Sequence, residues 1–300
     1  MDNIISLHND IKDKTYRHSG YQSFNISDPK PRNIHKATVR DRVVHHLIYK
    51  ELYPYFDSEF IHDSYSCRIN KGTHRAINRF RDFHHKVSYN NTRTCYVLKC
   101  DIKKFFASID HTILKKILER HIKDKDIFWL LEQVIDSFSS STVSSMSTLS
   151  AIAESVIKIK KGLPLGNLTS QLLVNIYMNE FDQYVKRELK VKYYIRYADD
   201  FVILQNDKMY LESILLKIKE FLEKGLKLDL HSDKVFIKTI GSGVDFLGWV
   251  HFSKHRVLRT STKRRMMKRL RENPNTESVQ SYLGMLKHGD GYKLRNKILK

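Results

Sequence analysis

Two adjacent carboxylates, Asp199 and Asp200, stand between runs of aromatic and β-branched residues over residues 192–204. That composition predicts strand, turn, strand, with the acids at the tip of a hairpin. Ionised carboxylates in apolar surroundings are costly unless positive charge meets them. A divalent cation that prefers oxygen and keeps part of its shell for phosphates, Mg²⁺, meets that need. Taken alone, Tyr197-Ala198-Asp199-Asp200 fits a plain polar turn equally well.

A third acid changes the balance. Residues 96–100 read as a strand that runs into Asp101, the usual place for a metal ligand in a sheet-based site. One acid at 101 and two at 199 and 200 give the oxygen-rich set that a two-metal centre uses to clamp both ends of an in-line phosphoryl displacement. Asp110 is the weaker acid of that stretch and suits a turn cap. Phe105 and Phe106 follow Asp101, and alternation on extended chain would bury Phe105 and free Phe106. Residues 160–171 carry two glycines and a proline ahead of a helix over about 172–189, with Asn167, Thr169 or Ser170 as its cap. A Gly-rich loop entering a helix N-terminus suits close approach of a nucleotide or template backbone, although many loops share the pattern.

Lys and Arg outnumber Asp and Glu by 53 to 33, a net charge of +20. Such an excess points first to nucleic acid and second to an anionic membrane surface. Cys67, Cys95 and Cys100 are odd in number and lack paired spacing, which argues against a disulfide framework or a zinc site and fits a reducing cytoplasm. Neither a signal peptide nor a membrane span is expected.

The elements that must position these residues follow from patterning. Residues 1–29 predict a helix and a loop. Lys30, Arg32, Lys36, Arg40 and Arg42 form a basic extended segment that feeds a helix from Asp41, stopped by Pro54. Arg68 lies in a Gly-containing basic turn. A helix over about 73–85, capped by Thr73, follows with Arg75, Arg79 and Arg81. Tyr65, Phe80 and Phe83 interleave with these cations, a composition that suits a nucleic-acid groove, although several of them fit the core better. Helices are expected over about 112–121 and 126–138. Ten of the fourteen residues 137–150 are Ser or Thr, which predicts a surface insertion. A helix over 208–224 ends at Gly225. Residues 227–237 read as strand, turn, strand with Lys234 near the turn, residues 243–252 as an aromatic hairpin, and the region from 257 onward as basic helices.

In this order the motifs resemble a reverse transcriptase from about residue 28 onward: basic segments, Asp-x-x-x-x-Phe, a Gly loop, Tyr-x-Asp-Asp, a lysine-bearing turn and Phe-Leu-Gly. Leu165-Gly166-Asn167-Leu168-Thr169-Ser170-Gln171 looks like the form found in diversity-generating retroelements. Residues 40–46 and 281–288 point the same way. No endonuclease module, maturase domain or Val-Thr-Gly signature of retron enzymes is seen.

The resemblance implies an α+β right-hand polymerase fold. Its parts are fingers (1–94), a palm of antiparallel sheet and helices (95–250) and a short helical thumb (251–300). It implies copying of an RNA template from a DNA or RNA primer with dNTPs, into error-prone cDNA altered at template adenines, beside a basic pentameric accessory protein. Asp101, the adjoining Ile102, Asp199 and Asp200 correspond to the site of two Mg²⁺ ions, for which Mn²⁺ substitutes. Lys234 corresponds to the lysine that protonates pyrophosphate. Arg32, Lys30 and Arg68 would grip the triphosphate, and Phe106 would exclude a 2′-hydroxyl. Leu165, Gly166 and Gln171 would line the nucleotide, with Leu165 where accurate relatives place Gln. Tyr197, Phe246, Leu247, Gly248 and Trp249, with Lys263 and Arg264, would contact primer and template. The rival readings are a free-standing group II-like or defence-associated reverse transcriptase, an RNA-templated RNA polymerase, and a non-catalytic RNA-binding scaffold.

Overall fold

Three β-rich runs, 96–101, 194–197 and 200–205, form the centre of an antiparallel sheet. The computed structural model describes residues 2–27, 31–140, 160–272 and 274–299. In chain order the elements are α1 (Asp2–Lys12), β1 (Gln22–Ile26), β2 (Arg32–Lys36), α2 (Val39–Glu59), α3 (Thr73–Val87), β3 (Tyr96–Asp101), α4 (Phe105–Ser108), α5 (His111–His121), α6 (Lys125–Asp136) and α7 (Leu168–Gln183). A π turn (Tyr184–Glu188), β4 (Tyr194–Tyr197), β5 (Asp200–Gln205) and α8 (Lys208–Leu226) follow. The chain ends with a 3₁₀ turn (Ser232–Lys234), β6 (Phe236–Thr239), β7 (Val244–Phe246), β8 (Trp249–His251), β9 (Arg256–Leu258), α9 (Thr260–Glu272), α10 (Thr276–Leu286) and α11 (Tyr292–Leu299).

The chain divides into two units, and α8 carries it from the second to the first. The first comprises residues 1–61, 102–188 and 218–230. Its long helix α2 starts where the Thr38 side chain accepts the Asp41 N–H, and it buries Val44, Ile48, Leu52 and Phe56 at fourfold spacing. That stripe packs α2 against α7 and α6. Asp110 and Asp124 cap α5 and α6 with their carboxylates. Around Asp41, which is fully buried, stand three donors: the Tyr16 hydroxyl at 2.7 Å, the Thr38 hydroxyl at 2.6 Å and the Ser19 N–H at 3.3 Å.

The second unit comprises residues 62–101, 189–217 and 231–300. Its main sheet has the order β4-β5-β3-β6, antiparallel throughout. Val97, Val202, Leu204 and Ile195 share one face. They join Ile77, Phe80 and Phe83 of α3, Val244, Phe246 and Trp249 of the β7-β8-β9 sheet, and Met266 and Leu286 of the C-terminal helices in one buried cluster. Burying side chains of this size contributes roughly 2 kcal/mol each, so α3, the second sheet and the C-terminal helices together anchor one face of the main sheet.

Several sequence expectations are corrected. Pro54 does not stop α2, which runs five residues further. Its missing N–H is outweighed by burial of Tyr53 and Phe56 on either side. Gly72, not Thr73, is the cap of α3. Gly225 lies within α8, and the left-handed turn comes at Lys227 (φ 52°). Helix α7 begins at Leu168, four residues early, and gives way to the π turn after Gln183, where the Tyr184 ring stacks on Phe221 at 4.1 Å. The first strand expected in 227–237 shrinks to a single bridge, Leu230 to Ile102. The β1–β2 hairpin is an addition that patterning did not indicate, and within the helical tail expected from 257 onward α11 follows the helix expected over about 277–286. The Ser/Thr-rich insertion lies, from residue 141, outside the described residues. None of the three cysteines forms a disulfide. Among the described residues no helix is long and apolar enough to cross a membrane.

Candidate active site

Strand β3 ends at Asp101 and β5 begins at Asp200, and the antiparallel register sets these two residues directly opposite each other. Tyr197 pairs with Asp200 on the other side. Only Ala198 and Asp199 are left to turn the hairpin. Ala198 takes a left-handed conformation (φ 56°), a state that costs an L-residue about 1–2 kcal/mol. A small side chain keeps that cost low, which gives Ala198 a structural reason.

Two lysines stand against the acids. Lys234 Nζ donates to Asp101 Oδ1 at 2.8 Å, and the Asp101 carbonyl accepts the His231 N–H, so the 3₁₀ turn presents Lys234 to the strand end. Lys99, two residues before Asp101 on the same face of β3, is 8% exposed; its Nζ lies 3.2 Å from Asp200 Oδ2 and donates to the Asp245 carbonyl at 2.8 Å. The other oxygen, Asp200 Oδ1, is buried without a partner. Burial pushes the Asp200 carboxyl up to about 7; Lys99 opposes the shift, and the neighbouring Asp101 and Asp199 reinforce it. Asp200 thus keeps an unfilled oxygen beside two further acids. That all-oxygen donor set fits Mg²⁺ chemistry. Among the described residues, no three His, Cys, Asp or Glu side chains converge on a ready-made cage.

A buried arginine supports the hairpin. Arg196 is fully buried; its Nη1 donates to the Ala198 carbonyl at 3.2 Å and its Nη2 to Ser64 Oγ at 3.1 Å. Sequence reasoning missed both Lys99 and Arg196. The signal for Lys99 was its place two residues before Asp101, on the same strand face. Nothing local identifies the partners of Arg196.

The other candidates fall as follows. Tyr197 Oη accepts from Thr73 Oγ1 at 3.3 Å. Arg68 Nη1 donates to the Ser64 carbonyl at 3.1 Å. Phe246 and Trp249 are core residues, buried with Phe80. Their burial leaves neither ring open to a primer, against expectation; in the turn between them Leu247 (φ 51°) and Gly248 (φ 85°) are half-exposed. Lys263 and Arg264 are exposed on α9.

Within the first unit, Arg32 is exposed on β2. The next stretch of that strand holds the Gly loop: the His35 N–H donates to the Leu165 carbonyl at 2.9 Å, and Asn167 Nδ2 donates to the His35 carbonyl at 2.8 Å. Asn167 thus spends its side chain on β2 and makes no side-chain cap for α7. Gly166 has φ 107°, and a Cβ there would stand 2.7 Å from Ile34 Cγ2, so any side chain would strain the turn and displace Ile34. Gln171 lies in the first turn of α7. Phe105 is buried and Phe106 half-exposed, as expected, but on the helical turn α4 rather than on extended chain. Ile102 is 2% exposed and bridges to Leu230. Lys30 lies outside the described residues.

The sequence pattern described as "Reverse transcriptase (RNA-dependent DNA polymerase)" matches residues 25–251. Among curated proteins, Protein YkfC of Escherichia coli K12 is 29% identical over 79% of this chain and 66% of its own length. The group II intron-encoded protein LtrA of Lactococcus lactis is 23% identical, over 80% of this chain and 48% of that protein. A putative COX1/OXI3 intron 2 protein of Saccharomyces cerevisiae is 21% identical, with 77% and 30% covered. The chain thus spans between about a third and two thirds of these relatives. Solved telomerase from Candida albicans, in complex with a fragment of telomeric RNA, shares the fold with a TM-score of 0.54 at 12% identity, over 83% of this chain and 48% of that one. Apo telomerase from Candida tropicalis gives 0.55 at 14%, over 79% and 48%.

Proposed function

This chain belongs to the reverse transcriptase family, and from that premise we propose that it extends a DNA or RNA primer on an RNA template with dNTPs. The observation that carries the reading is the register of Asp101 with Asp200, closed by Asp199 in the adjoining two-residue turn. Asp101, Asp199 and Asp200, with the main chain at Ile102, would hold Mg²⁺, or Mn²⁺ in its place. When bound, the two ions supply the charge that in-line phosphoryl transfer requires.

The chain's own groups do the rest. Lys234, hydrogen-bonded to Asp101, holds a proton beside the reacting centre and gives it to the departing pyrophosphate. Lys99 holds the second oxygen of Asp200 in place. Arg32, Lys30 and Arg68 bind the triphosphate, Phe106 meets the sugar, and the Leu247–Gly248 turn with Lys263 and Arg264 follows the primer–template duplex. In this scheme residues 1–94, 95–250 and 251–300 act as fingers, palm and thumb, in the cytoplasm.

Primer extension on an RNA template with Mg²⁺ tests the reading. Extension with dNTPs and not rNTPs is expected. Product with rNTPs only would identify an RNA polymerase, and binding of primer–template without extension a scaffold.

The finer reading is diversification: error-prone cDNA with changes at template adenines, made beside a basic pentameric partner. It rests on Leu165, whose branched apolar side chain offers no hydrogen bond to a nascent base pair. Two basic proteins repel, so the partner would meet this +20 chain with nucleic acid between them. Similarity to a group II intron-encoded protein favours a second reading, a free-standing group II-like enzyme. Sequencing the cDNA separates them: errors concentrated at template adenines support diversification, and evenly spread errors the second reading.

A further inference from the structure

The second unit carries a cationic groove that the polymerase site does not use. Two cavities, of about 330 Å³ and 380 Å³, adjoin beside the C-terminal half of α3 and share His84, Ile240, Ser253 and Lys254 in their walls. Each is of the size that holds a small ligand, and their continuity suits a strand better than a free nucleotide. The groove lies at the far end of the sheet from the acids. The Ile240 N–H donates to the carbonyl of Cys95, which precedes β3, while Asp101 ends that strand. At about 3.3 Å per residue the separation is about 20 Å.

Arg81 and Lys287 line the first cavity, Arg93 the second, and Lys254 both. All four are exposed. Among the described residues Lys254 and Lys287 form no ion pair, and Arg81 has only Asp82 at 3.8 Å. Asp290 is the one acidic residue in either wall. Arg256, by contrast, spends its guanidinium on the His288 and Ile77 carbonyls and the Asn78 side chain, so it is structural. Aromatic rings accompany the free cations. Arg93 lies 4.4 Å over the ring of Tyr89, which is 60% exposed, and exposed His255 lies parallel on Phe252 at 5.0 Å. In the floor, buried His251 leaves its Nε2 without a partner.

We propose that this groove binds single-stranded nucleic acid, with Arg81, Arg93, Lys254 and Lys287 on successive phosphates and bases stacked on Tyr89 and His255. Cations tracking a backbone beside exposed rings are what sequence-tolerant single-strand binding requires. The site is independent of polymerisation, since none of these residues belongs to the acid cluster.

Fluorescence anisotropy with labelled 15-mer oligo(U) and oligo(dT), on the full chain and on R93E/K254E/K287E, tests it. The triple variant should bind at least one of the two strands tenfold or more weakly. Its slope of log K against log salt should fall by about 2, the release expected for three lost phosphate contacts on a single strand. Extension of a short pre-annealed hairpin primer–template should be unchanged. The strand that loses affinity identifies RNA or DNA as the occupant. Affinity for both strands within twofold of the parent overturns the proposal, as does UMP competing as tightly as the 15-mers. Should the triple variant fail to fold, photocrosslinking of 4-thiouridine-labelled oligo(U) and 4-thiothymidine-labelled oligo(dT) to the parent decides. Adducts on the peptides bearing Tyr89 or His255 support the groove, and adducts only elsewhere refute it.

Discussion

Asp41 in the first unit and Asp200 in the second are both carboxylates withdrawn from water, and they are treated in opposite ways. Asp41 meets three donors. Burial raises its carboxyl, but the Thr38 and Tyr16 hydroxyls, with His18 and the Ser19 N–H, outweigh it, and the net shift is downward. Asp200 has Lys99 at one oxygen and nothing at the other, and it is pushed up to about 7. A carboxylate saturated by its own chain is structural. One left short of partners, beside two more acids, marks a candidate functional site.

The largest effects are expected at the acids of the second unit. Asp101→Asn or Asp199→Asn should reduce primer extension by at least about a thousandfold with the melting temperature nearly unchanged, if the acids act in chemistry. Extension that survives either change removes the two-metal reading.

Next in size is Asp41→Ala, which strands the Tyr16 and Thr38 hydroxyls and should cost about 3 kcal/mol, measured by urea unfolding. The same group sets an acid limit. Its folded carboxyl titrates below the unfolded value, so its contribution is complete above about pH 4 and is lost as the pH falls through the folded value. Acid unfolding of the parent should therefore be steeper than that of Asp41→Asn over that range.

Asp200→Asn should do the reverse. The raised carboxyl makes ionisation costly between about pH 4 and 7, so stability from this group falls as pH rises through that window. Removing the charge should raise the melting temperature by about 2 °C at pH 8 in EDTA, and a drop would show that Asp200 is structural like Asp41. The smallest effect is expected from Leu165→Gln. One regained hydrogen bond of ~1 kcal/mol would improve discrimination about fivefold, and unchanged misincorporation opposite template adenine would remove this residue from any account of fidelity.

Much of the site could be read from local pattern. The β-branched runs around 96–101 and 194–205 define strands, and alternation puts Lys99 beside Asp101. Asp110 was legible as a cap because capping involves only the next three residues. Pro54 misled, because the packing that carries α2 past it comes from other helices. Phe246 and Trp249 misled for a similar reason: an aromatic hairpin reads alike whether its rings face a ligand or α3.

From the sequence alone it follows that one acid ends a strand, that two more sit at the tip of a hairpin, and that a glycine stands at 166. These follow from backbone preferences that a few neighbours impose. Tertiary structure decided that Asp101 stands opposite Asp200, that Lys99 and Lys234 are their counter-charges, and that Arg196 holds the carbonyl of Ala198. Those facts depend on strand register and on side chains far apart in the chain, and register is fixed only when a whole face of the sheet is buried at once.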